Sequence, residues 1–414
     1  MKTLFRPRIV VALVALMMLA GAGLEWRNRI PHAEGSDFSV YYTAACLVRS
    51  NMSLQIYDKA ARDINSQVVF ADPNTVFART AGAHGIPRVH LYVYPPTLAD
   101  LLVPLTAFPH TAALIVWELL SLTMLLYACV MLTHMLGMRL PGQFGLFAVL
   151  IVMFRPTLNC FHYGQVSILL LLLVIAGSSL YAHRQKNMAG LAFALAVAIK
   201  LTPLIVIVPF LAWRDWKILR AITLWGAAIL GALWIVNGRG TLSLYCLHIL
   251  PSMATVNVHA DRTLSSMLYG YWRGLDNGTS PIGLVWAVRL TSALVLCYAG
   301  WLSRLNREDN LQDSRRFETV SIFLLLSCCL APVSWLHAYV LSTPALVALG
   351  KRIWERRSNP AETTLLILFV LSLSTTKFAH LAMAAPLLGV LLGIMELHRL
   401  QHEQFPERVS TVVC

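Results

Sequence analysis

Asp37, in the run Ser36-Asp37-Phe38-Ser39-Val40-Tyr41-Tyr42, is the best catalytic candidate in this chain, a carboxylate about a dozen residues past the first apolar stretch. A carboxylate held in place can take a proton from a reacting group. Lys200, Arg262 and His337 are the cationic or titratable groups that could bind an anion. Tyr41, Tyr42, His162, Gln165 and Trp335 offer hydrogen bonds and aromatic surface to a polar ligand. One acid with several basic groups is a useful set only if the fold brings its members to one place.

The elements that must do so are membrane helices. The 414 residues are 57% hydrophobic and only 13% charged, and the mean hydropathy is +0.64, a balance that excludes a soluble domain of this length. The fold class is therefore an all-α polytopic membrane protein, a single domain over 1–414. Apolar stretches run over Ile9–Leu24, Thr111–Leu136, Phe144–Phe154, Val166–Tyr181, Met188–Trp213, Ala221–Val236, Pro281–Leu302, Phe317–Gly350, Ala361–Thr376 and Leu381–Leu397. Basic clusters at Lys2/Arg6/Arg8, Arg139, Arg184/Lys186, Arg214/Lys217/Arg220, Arg304/Arg307/Arg315/Arg316 and Lys351/Arg352/Arg356/Arg357 mark the cytoplasmic side. All fall on one side only if Met188–Trp213 and Phe317–Gly350 each cross twice, turning at Lys200-Leu201-Thr202-Pro203 and at Ala331-Pro332-Val333-Ser334-Trp335-Leu336-His337. That predicts about 10–12 spanning or half-spanning helices, with both termini cytoplasmic. Asp37, His162, Lys200, Arg262 and His337 then share the outer face. The net charge of +13 is this inner-face bias with some attraction to anionic membrane lipids, and it calls for no nucleic-acid partner.

Two outer loops are long, 25–93 and 237–280. In the first, Ser36 can cap a helix whose Phe38, Tyr41, Tyr42, Ala45 and Arg49 recur at helical spacing, which predicts an interfacial helix holding Asp37 at headgroup depth. Farther on, Asp72 to His90 reads as a mobile segment over an opening. The N-terminal stretch is read as an uncleaved helix, with a cleavable signal peptide as the competing reading. Asp58 and Asp63 lie among Lys59 and Arg62 and read as a solvated ion-paired face. Glu118 and Arg289 are charges inside apolar stretches, expected to pair with each other and fix packing. The eight cysteines show neither metal-ligand spacing nor a disulfide framework.

Five groups of residues together resemble the GT-C glycosyltransferases, closest to family 87, the polyprenol-phosphate-mannose-dependent mannosyltransferases. They are Asp37-Phe38-Ser39-Val40-Tyr41-Tyr42 with Ile56-Tyr57-Asp58, then Tyr94-Pro95-Pro96, then Arg155-Pro156-Thr157 with Gly164-Gln165-Val166-Ser167, then Lys200-Leu201-Thr202-Pro203, and Pro332-Val333-Ser334-Trp335-Leu336-His337. They keep this order over most of the chain. Ser167 stands where the family often has Asn, and Ala338 follows His337 where a second His is common.

The resemblance implies transfer of a sugar, mannose first, from a polyprenyl-phosphate donor to a glycan or glycolipid hydroxyl, with inversion, at the periplasmic or exterior face of the plasma membrane. Asp37 would be the general base, with His337 beside it, Lys200 and Arg262 would bind the donor phosphate, and Tyr41, Tyr42, His162, Gln165 and Trp335 would contact sugar or acceptor. A phosphate leaves without prior protonation, so one acid with several basic groups is the expected inventory. The residues show no metal-ligand cluster, and a divalent ion stays open. The alternatives are a transporter, whose polar residues should gather at the midplane and whose halves should repeat, and a GT-C transferase for another lipid-linked sugar.

Overall fold

The computed structural model describes residues 36–57, 70–138, 151, 154–253, 256–257, 262–273, 278–279, 282–304, 313–355, 359–374 and 379–402. The Ile9–Leu24 stretch with its two readings, Asp58, Asp63 and most of Phe144–Phe154 lie outside these residues. Among the described residues the regular elements are helical apart from a two-residue antiparallel pair, β1 (Val256–Asn257) with β2 (Gly278–Thr279), and an isolated bridge between Phe70 and His90.

Helix α1 (Asp37–Arg49) starts as the capping pattern predicts. Ser36 is extended and its side chain accepts from the Ser39 amide at 3.3 Å, while Asp37 in the first turn and Arg49 in the last complement the helix dipole. The helix differs from the interfacial element expected, because every residue from Asp37 to Leu47 is buried. Phe38, Tyr41 and Tyr42 form one face, but Val40, Thr43, Ala44 and Leu47 on the other side are buried as well, so no face is left exposed. Helices α2 (Val76–Ala83), α3 (Pro96–Leu102) and α4 (His110–Met135) enclose it. Phe38 stacks on Trp117 of α4 with centroids 6.2 Å apart, and the Ser39 hydroxyl lies 3.0 Å from His110 Nε2. The Gly- and Pro-rich segment expected to be mobile contains α2, capped by Thr75 and anchored by buried Phe77 and Ala81.

Four helical segments among the described residues are long and apolar enough to cross a membrane: His110–Met135, Trp216–Met253, Gly283–Arg304 and Met383–His402. They belong to α4, α9 (Trp216–Leu244), α11 (Ile282–Arg304) and α15 (Ala379–His402). Between and beside them lie the shorter α5 (Arg155–Tyr163), α6 (Ser167–Ala182), α7 (Lys186–Ile199), α8 (Ile207–Ala212), α10 (Leu264–Arg273), α12 (Asp313–Leu330), α13 (Thr343–Trp354) and α14 (Pro360–Ser374). The protein is thus a multi-pass, all-α membrane protein. Helices α7 and α9 approach closely at Gly190, where a Cβ would stand 2.5 Å from that of Ala221.

The two stretches read as doubling back are both interrupted at their prolines. Helix α7 ends at Ile199, Lys200 is extended (φ −154°, ψ 133°), and a 3-10 turn over Thr202–Val206 leads into α8. Helix α12 ends at Leu330, and a 3-10 turn over Leu336–Ser342 precedes α13. Glu118 and Arg289 do not pair as expected. Helix α4 packs on α6 whereas α11 packs on α8 and α15, and the Arg289 guanidinium instead lies 5.1 Å from the centroid of Trp286.

Arg352, read as part of a cytoplasmic basic cluster, is buried in a charge network joining four helices. It pairs with Glu362 of α14 at 2.7 Å and with Glu396 of α15, and Arg399 continues the chain to Glu396 at 3.0 Å and to Glu318 of α12 at 2.9 Å. Removing one member of such a network leaves a buried charge uncompensated. Arg352→Met is therefore expected to lower stability by about 3–5 kcal/mol, read as a fall in the thermal unfolding midpoint of purified protein; an unchanged midpoint would mean the network does not brace these helices.

Candidate active site

The interrupted helices and α1 meet around a cavity of about 1020 Å³. Its polar wall holds Asp37 at the start of α1, Tyr94 ahead of α3, Lys200 at the α7 break, and Trp335 and His337 at the break after α12. Its apolar wall comes from Leu204 and Val208 near α8, Leu296 of α11 and Leu330 of α12.

Asp37 is only 6% exposed and is oriented by Gln165, whose amide nitrogen donates to Oδ2. The amide oxygen of the same residue accepts from the Tyr41 hydroxyl at 2.9 Å. With both ends engaged, Gln165 has one amide orientation that satisfies both partners. The turn that delivers it is built for the purpose. Gly164 ends α5 in the left-handed conformation (φ 61°), which a residue with a Cβ adopts at a cost, and its carbonyl accepts from Trp117 Nε1 at 2.9 Å. The Gln165 amide then bonds back to Cys160 O at 2.8 Å.

Tyr94 stands edge-on to Tyr41 at 4.9 Å, and its backbone is pinned by the Tyr57 hydroxyl, which donates to Tyr94 O at 2.6 Å. Tyr92 adds a bond to Pro95 O at 2.8 Å. Burial first, and the Asp37 carboxylate second, push the Tyr94 phenol above its ordinary pKa, so it stays protonated and can donate. The Lys200 ammonium lies 5.5 Å from the centroid of the Tyr94 ring and enters no ion pair among the described residues. Opposite, His337 is 2% exposed, with its carbonyl accepting from Cys160 Sγ at 3.3 Å and its ring edge-on to Trp335 at 5.8 Å. His337 Nδ1 and Trp335 Nε1 are buried polar atoms without a hydrogen-bond partner among the described residues. Such atoms at a cavity wall are groups that a ligand can satisfy.

Asp37, Lys200, Trp335 and His337 therefore come together, with Gln165 and Tyr41 directly behind Asp37. The remaining candidates lie outside the cavity lining. Tyr42 donates to Phe108 O at 2.8 Å, and His162 stands edge-on to Tyr163 at 4.7 Å. The Arg262 guanidinium donates to Ser372 O at 2.8 Å, while its backbone amide bonds Ser334 O at 2.9 Å, which braces the segment carrying Trp335 and His337. Tyr94, His90 and Arg289 line the cavity without having been chosen from the sequence. Tyr94 had a signal in the run Tyr92-Val93-Tyr94-Pro95-Pro96, and Arg289 in being a charge within an apolar stretch. Among the described residues no group of three His, Cys, Asp or Glu could hold a metal ion.

A fixed carboxylate, an ammonium outside any ion pair among the described residues, neutral donors and a long apolar wall suit proton removal from a hydroxyl beside an anionic group on a hydrocarbon chain.

The profile of glycosyltransferase family 87 matches residues 92–332, more than half of the chain. Three similar proteins bear related names. The polyprenol-phosphate-mannose-dependent alpha-(1-2)-phosphatidylinositol pentamannoside mannosyltransferase of Mycolicibacterium smegmatis is 27% identical over 62% of this chain and 60% of its own length. Its namesake from Mycobacterium tuberculosis is 26% identical over 81% and 71%. The polyprenol-phosphate-mannose-dependent alpha-(1-2)-phosphatidylinositol mannoside mannosyltransferase of Mycolicibacterium smegmatis is 24% identical over 85% and 78%. The match thus spans less than two thirds of the first of these relatives and about three quarters of the other two.

The relay behind Asp37 has a measurable consequence. Tyr41→Phe should cost about 0.5–1.5 kcal/mol in a wild-type background and close to nothing in a Gln165→Leu background, because the hydroxyl's partner is then already gone. Additive unfolding shifts in the double variant would show that the two side chains act independently.

Proposed function

Because this chain belongs to glycosyltransferase family 87, we propose that it transfers mannose from a polyprenyl-phosphate carrier to a hydroxyl of a mannosylated phosphatidylinositol, the donor and acceptor class its relatives' names carry. The reading rests on one observation above others: Asp37 and Lys200 line the same largely apolar cavity. The family match starts at residue 92, so the role of Asp37 is argued from its place in that cavity.

The reaction assigns each group a task. Asp37 takes the proton of the acceptor hydroxyl as its oxygen attacks the anomeric carbon. The bond from that carbon to the phosphate oxygen breaks on the opposite side, with inversion, and the electron pair leaves with polyprenyl phosphate. Lys200 meets the charge that grows on that phosphate, and His337 Nδ1 and Trp335 Nε1 are the buried donors or acceptors closest in kind to what phosphate oxygens and sugar hydroxyls require. Gln165 and Tyr41 hold the carboxylate in the orientation that attack demands. The apolar wall takes the isoprenoid chain, so that the donor reaches the site from the bilayer. The bias of the basic clusters toward one side supports a cavity open to the periplasm or exterior, with the termini in the cytoplasm.

Asp37→Asn keeps the shape and the Gln165 contact but removes the base, so transfer from polyprenyl-phosphate mannose should fall by about a hundredfold or more with little change in unfolding midpoint; near wild-type turnover would exclude Asp37 as the base. Lys200→Met should raise the apparent KM for the donor by roughly tenfold or more while the acceptor KM moves little. A donor KM equal to the wild type's would remove Lys200 from the phosphate site. A panel of lipid-linked sugars assayed with the purified protein tests the donor assignment, and turnover with another sugar in place of mannose would correct it.

A further inference from the structure

The substrates of the proposed reaction carry two lipid phosphates, one on the donor carrier and one in the phosphodiester of the acceptor, and the cavity is lined by two basic side chains, Lys200 and Arg289. Lys200 sits with Asp37 and His337 on the polar wall. Arg289 sits on α11, which packs against α8 and α15 and contributes the apolar wall instead.

An arginine inside a segment long and apolar enough to cross a membrane is costly unless its charge meets water or an opposite charge. Glu118 does not meet it, and Arg289 enters no ion pair among the described residues. It lines the cavity, is exposed, and its guanidinium lies 5.1 Å from the centroid of the Trp286 ring. The residue that lines the cavity next along α11 is Leu296, seven positions on and hence on the same face, about 10 Å farther along the axis. Leu330 and Val208 continue that surface. A cation followed by a hydrocarbon wall along one helix face matches a phospholipid lying parallel to the helix, head at Arg289 and chains against Leu296. A soluble anion would have no use for the second part.

We propose that Arg289 is a second phosphate site of this cavity, which binds the phosphodiester of the anionic acceptor lipid and thereby sets which glycolipids are used. The inference rests on the transferase reading above and adds a division of labour to it: Lys200 serves the donor phosphate, Arg289 the acceptor phosphate. Arginine suits a phosphodiester because its planar fork can meet two oxygens at once.

The test compares two acceptors with the same reacting sugar, phosphatidylinositol mannoside and an uncharged alkyl mannoside, each assayed with polyprenyl-phosphate mannose in detergent or nanodiscs. Arg289 is exposed, so Arg289→Gln should keep the wild-type unfolding midpoint. The expected result is an apparent KM for phosphatidylinositol mannoside raised about 10- to 100-fold, with the donor KM and the kcat/KM for the alkyl mannoside within about twofold of wild type. Arg289→Lys should recover part of the loss, since it keeps the charge but not the fork. Equal losses with both acceptors, a raised donor KM, or no change at all would each overturn the proposal. If wild-type protein transfers mannose to neither acceptor, it is the transferase reading that fails; if wild type is active and Arg289→Gln matches it, that reading stands and this one falls.

Discussion

The hydrogen bond from the Gln165 amide to the Asp37 carboxylate is the constraint on which the site depends. It joins residues far apart in sequence, tying the first turn of a buried helix to the turn between α5 and α6. Nothing in α1 alone could aim the carboxylate, because a residue in a first helical turn can satisfy its charge on the helix's own amides. The Tyr41 hydroxyl removes the remaining freedom of the amide, and the αL glycine at 164 with its Trp117 bond removes that of the backbone beneath it. Phe38, stacked against the same Trp117, ties the helix and the turn to one aromatic block. The carboxylate is thus held from behind, and only its forward side meets the cavity.

The cavity itself follows from interrupting helices. A continuous helix in a membrane satisfies its own backbone and offers nothing polar to a ligand. Breaking α7 at Lys200 and ending α12 before Pro332 releases backbone and polar side chains at the edge of an apolar space, while the salt-bridge network of Arg352 and Arg399 holds α12 to α15 together away from it. Charges are therefore buried with partners in the one place and line the cavity in the other.

Much of this was legible in the residues. Ser36 before an acidic first turn reads as a cap, and the prolines at 203 and 332 in over-long apolar stretches read as breaks, because both signals are local. The grouping of Asp37, Lys200, Trp335 and His337 follows from placing those breaks on one face. What was not legible depends on three-dimensional neighbours. The burial of α1 on all sides comes from α2, α3 and α4 closing around it, and no periodicity announces that. Gln165 looks like a ligand-binding amide until Tyr41 and Asp37 are seen to occupy both its ends. Arg262 reads from the sequence as a cation for the donor phosphate, and its anchoring to Ser334 and Ser372 needs the fold. Glu118 and Arg289 are matching charges in a linear reading but stand on helices with different neighbours.

The central claim is that one cavity brings a carboxylate and a cation together at a lipid-linked sugar. A structure of the protein with a non-transferable polyprenyl-phosphate mannose analogue tests it most directly. The account predicts the phosphate within about 4 Å of Lys200 Nζ, the isoprenoid against Leu204 and Leu330, and the anomeric carbon between the phosphate and Asp37. A phosphate bound away from Lys200, or a sugar whose anomeric carbon is shielded from Asp37 by its own ring, would contradict it.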